Sequence, residues 1–482
     1  MLTPIRESAP PAGERIPAEP EGGAQPRVLR GAPASAAPAD AAPASGARLA
    51  WLDALRGIGA LSVVYAHFGT RVLPAVHAAV YRVFDPGLYG VLVFFLVSGY
   101  IVPASLERRG SLRTFWLSRL FRLFPLFVFV IAAALLMHEF GLASLRGTDQ
   151  NVTAAVLSHL FMLNDLTGQA NLIVVLWTLS YEMVFYLLLT ALFTAGLHRR
   201  SGWYAAAFAG GAVLLGGVLP TVWLSYHTVG LANVALAGDV LVIGGLALAV
   251  AGHGRLRALG AWLAAATGLV LVAFNERRFA YEGLAILALM FTGTLIYRAQ
   301  HGQVSRRVAA PVAVGVFAAA MIAGAWHIPA LFAPDQAVLA QREWVMSVAL
   351  AGLTFAAGLA LRDRRVPSVL AWLGLVSYSV YLVHPLLLDA YDAIPFPRAY
   401  HHQVWPQVAV TAGFVAVLLA CCALTYYLVE APMQRLGRRI AARLAARERP
   451  ERAQAPVTRH VTGHRGATGA ISRRLASQAA QE

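Results

Sequence analysis

Charged residues, lysine and cysteine are all scarce in this sequence. Only 13% of its 482 residues are charged, against about 25% in an ordinary soluble domain, which argues against a soluble protein. The basic residues are all arginine, and the formal net charge is +15. These arginines flank apolar runs, so membrane topology explains them better than nucleic-acid binding does. The two cysteines, Cys421 and Cys422, are adjacent within an apolar run, which argues against a disulfide, a redox pair or a metal site.

Sequence signals for common cofactors are missing as well. The histidines lack the spacing to cysteine, histidine or acidic residues that is typical of a zinc site. Neither common glycine-rich phosphate loop is present. We therefore expect no metal and no nucleic-acid partner.

Long apolar runs dominate the remainder of the chain. Hydrophobic residues make up 58% of the sequence, the mean hydropathy is +0.61, and the runs have the length of about 20 residues that crosses a bilayer as an α-helix. We expect an all-α fold, a polytopic membrane helix bundle of about 10–12 transmembrane helices. The segment 152–164 is too short to cross and predicts a re-entrant or interfacial piece. The candidate spans lie near residues 50–69, 87–105, 120–139, 171–196, 203–222, 230–251, 257–274, 281–298, 309–327, 344–361, 369–389 and 407–429.

Composition divides the chain into three parts. Residues 1–47 are rich in Ala, Pro and Gly and predict a disordered cytoplasmic tail. Residues 48–435 form the membrane domain, and residues 436–482 predict a basic cytoplasmic tail that begins as an amphipathic helix. Arginine-rich loops predict that both termini are cytoplasmic by the positive-inside rule, with Arg277 and Arg278 as the exception.

The first span carries three ionisable residues on nearly one stripe. Arg56 and His67 lie eleven positions apart, which is close to three helical turns and about 16 Å along the axis. A charge inside a bilayer costs at least about 2.5–3.5 kcal/mol, so these side chains and Asp53 predict a polar cavity beside the helix. There His67 is the candidate proton acceptor and Arg56 a candidate anion ligand. The alternatives are interfacial positions for Asp53 and Arg56, and a hydrogen bond from His67 to a neighbouring helix.

Two later spans contribute an arginine pair and a single acid. Arg119 and Arg122 are three residues apart near the start of the third span, where paired guanidinium groups suit phosphate. Simple positive-inside anchoring is the alternative. Glu182 is the one acid of the segment 171–196, and a buried carboxylate must pair, protonate or face water. We expect it to orient His67 or to accept a proton, the alternative being an ion pair with Arg56.

Small and polar residues in other spans complete the candidate site. Ser98 and the glycine after it predict close helix packing, and the sequence offers no base beside Ser98 that would favour a nucleophile. Tyr378, Tyr381 and His384 recur every three residues and predict a polar cavity wall. An aromatic belt at the membrane surface is the alternative for the two tyrosines. Glu430 precedes Ala-Pro and predicts the exit of the last span.

In this order the motifs resemble the acyltransferase-3 family of bacterial integral-membrane acyltransferases, which includes O-acetyltransferases of O-antigen and other surface sugars. The resemblance runs from about Leu52 to Arg435. Six motifs carry it: Leu52-Asp53-Ala54-Leu55-Arg56-Gly57 with His67, Phe94-Phe95-Leu96-Val97-Ser98-Gly99-Tyr100, Arg119-Leu120-Phe121-Arg122 with Pro125, Trp177-Thr178-Leu179-Ser180-Tyr181-Glu182 with Phe185-Tyr186, Ser377-Tyr378-Ser379-Val380-Tyr381-Leu382-Val383-His384-Pro385, and Glu430-Ala431-Pro432.

The resemblance implies an enzyme of the bacterial inner membrane. It would move an acyl group, usually acetyl, from cytoplasmic acyl-CoA to a hydroxyl of a sugar in a cell-surface glycan such as lipopolysaccharide, or in a glycolipid. The implied catalytic residues are Arg56, His67 and Glu182, and the implied acyl-CoA ligands are Arg119 and Arg122. The substrate-binding candidates are Asp53, Ser98, Tyr378, Tyr381 and His384. A secondary transporter, and an O-acyltransferase acting on a small secondary metabolite, stay open as alternatives.

Overall fold

The computed structural model describes residues 49–143, 152–394 and 403–454, and every regular element within these ranges is helical. The predicted tail 1–47 and residues 455–482 of the basic tail lie outside the described residues. A 3₁₀ turn (Val174–Leu176) leads into α6, and a π-helical turn (Tyr426–Glu430) joins α15 to α16. The helices are α1 (Ala50–Val72), α2 (Pro74–Tyr81), α3 (Pro86–Arg109), α4 (Leu112–Glu139), α5 (Val152–Leu160), α6 (Trp177–Thr194), α7 (Ser201–Leu215), α8 (Trp223–His227), α9 (Leu231–Ala251), α10 (Gly254–Phe274), α11 (Ala280–Gln300), α12 (Arg306–Leu331), α13 (Pro334–Ala360), α14 (Ser368–Ala393), α15 (Val404–Thr425) and α16 (Ala431–Gln454).

Ten helices within the described ranges are long and apolar enough to cross a membrane. This confirms the expected all-α polytopic bundle and agrees with the expected number of spans. Two expected spans, 50–69 and 203–222, are not among the ten. Charged side chains lower the hydropathy of α1, although it has 23 residues, and α7 has only 15 residues. The segment 152–164 contains the short helix α5, as its length predicted.

The bundle is arranged around α6 and α11. In each of these helices, 83% of the most apolar window is buried inside the protein, whereas the figure is 28% for α4, α12 and α13. The enclosed helices therefore supply the walls of internal cavities, and the peripheral ones present apolar side chains outward. Because α4 lies at the boundary, its two faces meet different surroundings.

Close backbone contacts at glycines hold the helices that carry the candidate site. A Cβ on Gly374 of α14 would lie 1.9 Å from the Asp53 carbonyl oxygen of α1, and a Cβ on Gly99 of α3 would lie 1.9 Å from the Met290 carbonyl oxygen of α11. No residue with a side chain fits at such distances. The contact at Gly99 confirms the close packing predicted beside Ser98. The contact at Gly374 sets α1 directly against α14.

The exception to the positive-inside rule has a local explanation. Arg278, between α10 and α11, lies 2.5 Å from a Glu282 carboxylate oxygen and 4.1 Å above the Trp177 ring. Arg277 donates a hydrogen bond of 3.0 Å to the Gln169 carbonyl. Because both guanidinium groups have partners within the protein, they are poor indicators of membrane side.

Candidate active site

Six of the residues predicted from sequence line one internal cavity of about 60 Å³. We call it the arginine cavity, because Arg56 of α1 and Arg122 of α4 both face it. Helices α1, α3, α4, α6 and α14 supply its walls. The lining side chains are Arg56, Val91, Phe94, Phe95, Ser98, Arg122, Leu123, Thr178, Leu179, Glu182, Tyr378 and Tyr381.

Carboxylates balance the two guanidinium groups of the arginine cavity. Arg56 has favourable electrostatic interactions with Asp53, Glu182 and Glu430. Its electrostatic interaction with Arg122 is unfavourable. Two adjacent cations favour binding of a polyanionic group, because each guanidinium can give forked hydrogen bonds to phosphate or carboxylate oxygens. The nearby acids offset the cost of holding both cations inside the bundle when that group is absent.

Glu182 is fixed by hydrogen bonds on two sides. Ser98 Oγ donates to its Oε1 over 3.4 Å, and the hydroxyl of Tyr186, one turn further along α6, donates to the same oxygen. Both donors are neutral hydroxyl groups, and Arg56 lies within electrostatic reach of Glu182. This arrangement gives Ser98 a role as a hydrogen-bond donor to Glu182.

The two tyrosines of α14 are cavity walls, as their spacing predicted. Tyr378 donates a 2.9 Å hydrogen bond to the Leu123 carbonyl of α4. Tyr381 donates over 3.0 Å to the Val175 carbonyl, and its hydroxyl lies 2.8 Å from Thr178 Oγ1. These bonds tie α14 to α4 and α6 and hold both rings in place.

His67 lies on a second cavity, further along α1 and α14, with a volume of about 420 Å³. We call it the histidine cavity. Charged side chains line much of it: Arg71 pairs with Asp392 at 2.9 Å, and Asp389 lies one turn before Asp392 on α14. Carboxylates beside a guanidinium form a wall that can hydrogen-bond several hydroxyl groups at once.

His67 pairs with His384 across the α1–α14 contact. His67 Nδ1 lies 3.1 Å from His384 Nε2, and the rings stack with centroids 5.2 Å apart. His384 Nδ1 lies 2.9 Å from the Val380 carbonyl oxygen, which can only accept, so this nitrogen carries the proton. In the neutral pair His384 Nε2 then accepts from His67 Nδ1–H. The hydrogen bonds thus assign the lone pair of His67 to Nε2.

The expectation that Glu182 orients His67 is wrong in this structure. The carboxylate bonds to Ser98 and Tyr186 in the arginine cavity, whereas the imidazole bonds to His384 beside the histidine cavity. The reason is axial position. About three helical turns separate Arg56 from His67, and Glu182 lies at the level of Arg56.

One layer of aromatic side chains separates the two cavities. Tyr381 lines the arginine cavity, and its ring meets His384 with centroids 6.3 Å apart. Phe94 packs against Tyr381 with centroids 5.7 Å apart. Contacts from Tyr381 to His384 and from His384 to His67 therefore link the walls of the two cavities.

Arg119 does not join Arg122, although the sequence predicted a single anion site from the pair. Its guanidinium carbon lies 5.5 Å from the ring centres of both Phe115 and Tyr186, and the side chain faces an apolar groove on the other side of α4. The two side chains are about 60° apart around the helix, and the boundary between the cavity and the groove falls between them because α4 lies at the periphery of the bundle. Asp53 is buried where α1 meets Gly374, rather than on the cavity wall.

Sequence reasoning underestimated Glu430. Its carboxylate is buried, accepts a hydrogen bond from Ser379, and acts electrostatically on Arg56 and Arg122. A lone acid at the end of an apolar span was the available signal, and the adjacent proline suggested a helix exit instead. Arg71 and Asp392 were also missed, although Arg71 follows His67 by one helical turn.

Comparison with known proteins identifies the family of this chain. The model of the acyltransferase-3 family, described as an acyltransferase domain, matches residues 49–427. Over 178 residues the chain is 28% identical to acyltransferase MdmB of Streptomyces mycarofaciens, covering 35% of this chain and 45% of that protein. The chain thus spans less than half the length of that relative. No solved structure matches. The family match includes the helices of both cavities, and the chain belongs to the acyltransferase-3 family of membrane acyltransferases.

Proposed function

We propose that this protein transfers an acyl group from acyl-CoA to a hydroxyl acceptor at the cytoplasmic membrane of a bacterium. The observation that carries the proposal is the placement of the His67–His384 pair between two cavities: His67 lines the histidine cavity, and His384 packs against Tyr381, which lines the arginine cavity. The arginine cavity suits an anionic donor, and the histidine cavity suits a hydroxylated acceptor. The paired imidazoles are groups that can exchange a proton near neutral pH.

In this proposal the donor binds from the side of the arginine cavity. Arg56 and Arg122 hold an anionic part of acyl-CoA through forked hydrogen bonds. The pantetheine arm then extends toward His67, which lies about 16 Å from Arg56 along α1. The aromatic layer at Tyr381 and Phe94 must give way to admit the thioester. Glu182 and Glu430 lie within electrostatic reach of Arg56.

His67 serves as the general base of the proposed reaction. Its Nε2 takes the proton of the acceptor hydroxyl as that oxygen bonds to the acyl carbon. The carbon–sulfur bond breaks, and the imidazolium returns its proton to the departing thiolate, giving an ester and free CoA. His384 keeps the proton of His67 on Nδ1 and so leaves Nε2 available. Acyl transfer to His67 itself, followed by transfer to the acceptor, is the second possible sequence.

The lining of the histidine cavity supports the acceptor class that we propose. Arg71, Asp389 and Asp392 present charged oxygens and a guanidinium around a volume of about 420 Å³, which suits a sugar unit with several hydroxyl groups. We propose a cell-surface glycan or glycolipid such as lipopolysaccharide, with acetyl as the acyl group. A small secondary metabolite is the second candidate, and comparison of glycans and metabolites from a deletion strain and its parent by mass spectrometry distinguishes them.

The decisive experiment uses the purified full-length protein with acetyl-CoA, with water serving as the hydroxyl acceptor, and measures release of free CoA. We expect His67→Ala to lower turnover by at least about 100-fold, because a positioned general base contributes about 10²–10⁴. His301→Ala, which alters an exposed histidine outside both cavities, is the matched control and should keep parental turnover. Unchanged turnover in a folded His67→Ala protein would remove His67 from the reaction.

A further inference from the structure

An apolar groove on the outer side of α4 has no role in the proposed reaction. It has a volume of about 520 Å³ and runs between α4 and α9. Phe161 and Met183 form its floor, and Leu444 of α16 borders it. We call it the lipid groove. Its walls come mainly from Trp116, Leu117, Leu120, Phe124, Ile243 and Leu246.

The groove opens toward the surface that would face lipid. Leu120 of α4 is 45% exposed and Ile243 of α9 is 37% exposed, although both line the groove. Within a bilayer such walls can contact only hydrocarbon or another apolar helix. The shape, a long cleft between two spans, fits an extended acyl chain.

The groove also contains a buried cation. Arg119 is 7% exposed, and its Nε has no hydrogen-bond partner among the described residues. Its guanidinium carbon lies near the rings of Phe115 and Tyr186. A buried N–H donor without an acceptor is unfavourable, because aromatic rings replace only part of its lost hydration. An anionic group bound from the groove would supply the missing acceptor.

The cation is directed toward the cytoplasmic mouth predicted for the groove. Phe115 precedes Arg119 by one turn, so the guanidinium above its ring is displaced toward the start of α4, as helix side chains generally are. Arg113 lies at that mouth, exposed, with its Nε donating to the Val250 carbonyl over 3.1 Å. Helix α16, which borders the same mouth, carries Arg439 and Arg443 as exposed side chains. Positive charge therefore surrounds the end of an apolar cleft.

We propose that the groove binds an anionic phospholipid of the cytoplasmic leaflet. One acyl chain lies between α4 and α9, and the phosphate contacts Arg119 and Arg113. The bound lipid fills the cleft between α4, α9 and α16 and neutralises the buried guanidinium. It thereby holds α16 against the membrane domain.

The test measures lipid binding and thermal unfolding of the purified full-length protein in a neutral detergent. Dioleoylphosphatidylglycerol should remain bound in native mass spectrometry and raise the unfolding temperature. Dioleoylphosphatidylcholine has identical acyl chains but no net charge. It should neither remain bound nor raise the unfolding temperature. Ala247→Trp, which fills the groove from α9, should abolish the response to phosphatidylglycerol. Ala237→Trp places the same ring on an exposed site of α9 outside the groove. This variant should keep the response to phosphatidylglycerol.

A second pair of variants tests the headgroup site. Arg113→Gln should weaken phosphatidylglycerol binding about fivefold, the effect of one basic residue at a membrane surface. Arg255→Gln, which alters an exposed arginine in the first turn of α10 that does not line the groove, should leave binding unchanged. Equal responses to the two lipids, or equal responses of the two tryptophan variants, would overturn the proposal. So would a dimer that Ala247→Trp dissociates, since a second copy of the chain would then occupy the groove.

Discussion

Arg119 and Arg122 lie one turn apart on α4 and meet opposite surroundings. Arg122 faces the arginine cavity, with Arg56 beside it and acids within electrostatic reach. Arg119 lies between aromatic rings and an apolar groove, and its Nε is unpartnered among the described residues. Leu123 lines both the cavity and the groove and marks the boundary. In a peripheral helix, a rotation of about 60° is enough to exchange an internal polar site for the lipid-facing surface.

The largest loss of activity among the variants that sharpen this comparison is expected at the His67–His384 pair, outside the arginine cavity. His384→Leu removes the acceptor that holds the proton of His67 on Nδ1, and kcat should fall about 100-fold. His384→Gln keeps an acceptor oxygen and should recover part of that loss. The donor KM should change little in either variant, because the donor anions bind at the arginines. Equal kcat values for the two variants in steady-state kinetics would contradict this positioning role.

The arginine pair itself provides the direct comparison. Arg122→Gln should raise the KM for acyl-CoA about 10–100-fold, the equivalent of losing charged hydrogen bonds of about 1.5–3 kcal/mol. Arg119→Gln should raise it less than about threefold and instead reduce stabilisation by phosphatidylglycerol. Initial rates over a range of donor concentrations measure the first effect, and thermal unfolding measures the second. Similar KM increases in both variants would restore the single anion site expected from the sequence.

A smaller effect, on the pH dependence of stability, is expected in the loop between α10 and α11. This loop lies outside the arginine cavity and the lipid groove. Burial raises the pKa of the Glu276 carboxyl well above its usual range, while a 2.7 Å hydrogen bond from Tyr181 opposes the shift. A raised folded-state pKa favours the neutral acid. Stability from this group is therefore present below the unfolded pKa of about 4.3 and is lost as pH rises through the folded value.

Glu276→Gln should accordingly unfold at a higher temperature than the parent at pH 8, and at nearly the same temperature near pH 4.5. Differential scanning fluorimetry across this range measures the difference. Asp335→Asn neutralises an exposed acid at the start of α13. It should leave the unfolding temperature unchanged both at pH 8 and near pH 4.5. An advantage of the Gln variant that grows as pH falls would show that the buried carboxylate is ionised in the fold.

Periodicity and hydropathy were sufficient to predict the helical elements of this protein from its sequence. Runs of about 20 apolar residues can satisfy their backbone groups in a bilayer only as helices, so the all-α bundle followed from local pattern. The family followed from six short motifs in order. The stripe of Tyr378 and Tyr381 also followed, because residues three apart share a helix face. Helix formation, the short motifs and the tyrosine stripe can all be predicted from the sequence of one helix at a time.

Contacts between helices could not be predicted from the sequence of a single helix. Nothing in the spacing along α1 or α6 could predict that His67 meets His384 rather than Glu182, since that pairing depends on how far each helix slides along its neighbour. The close approach at Gly374 settles this for α1 and α14. Glu430, at the end of the π-helical turn between α15 and α16, likewise comes within electrostatic reach of Arg56 and Arg122 through packing between helices.

The amino-acid sequence alone determined that this chain is a helical membrane protein, that it belongs to its family, and which ionisable residues lie within apolar spans. Only the tertiary structure decided that these residues divide between two cavities and a groove. The physical reason is that insertion into a membrane is decided by each segment's own transfer free energy, whereas a site requires axial register and rotation between helices, which packing alone defines.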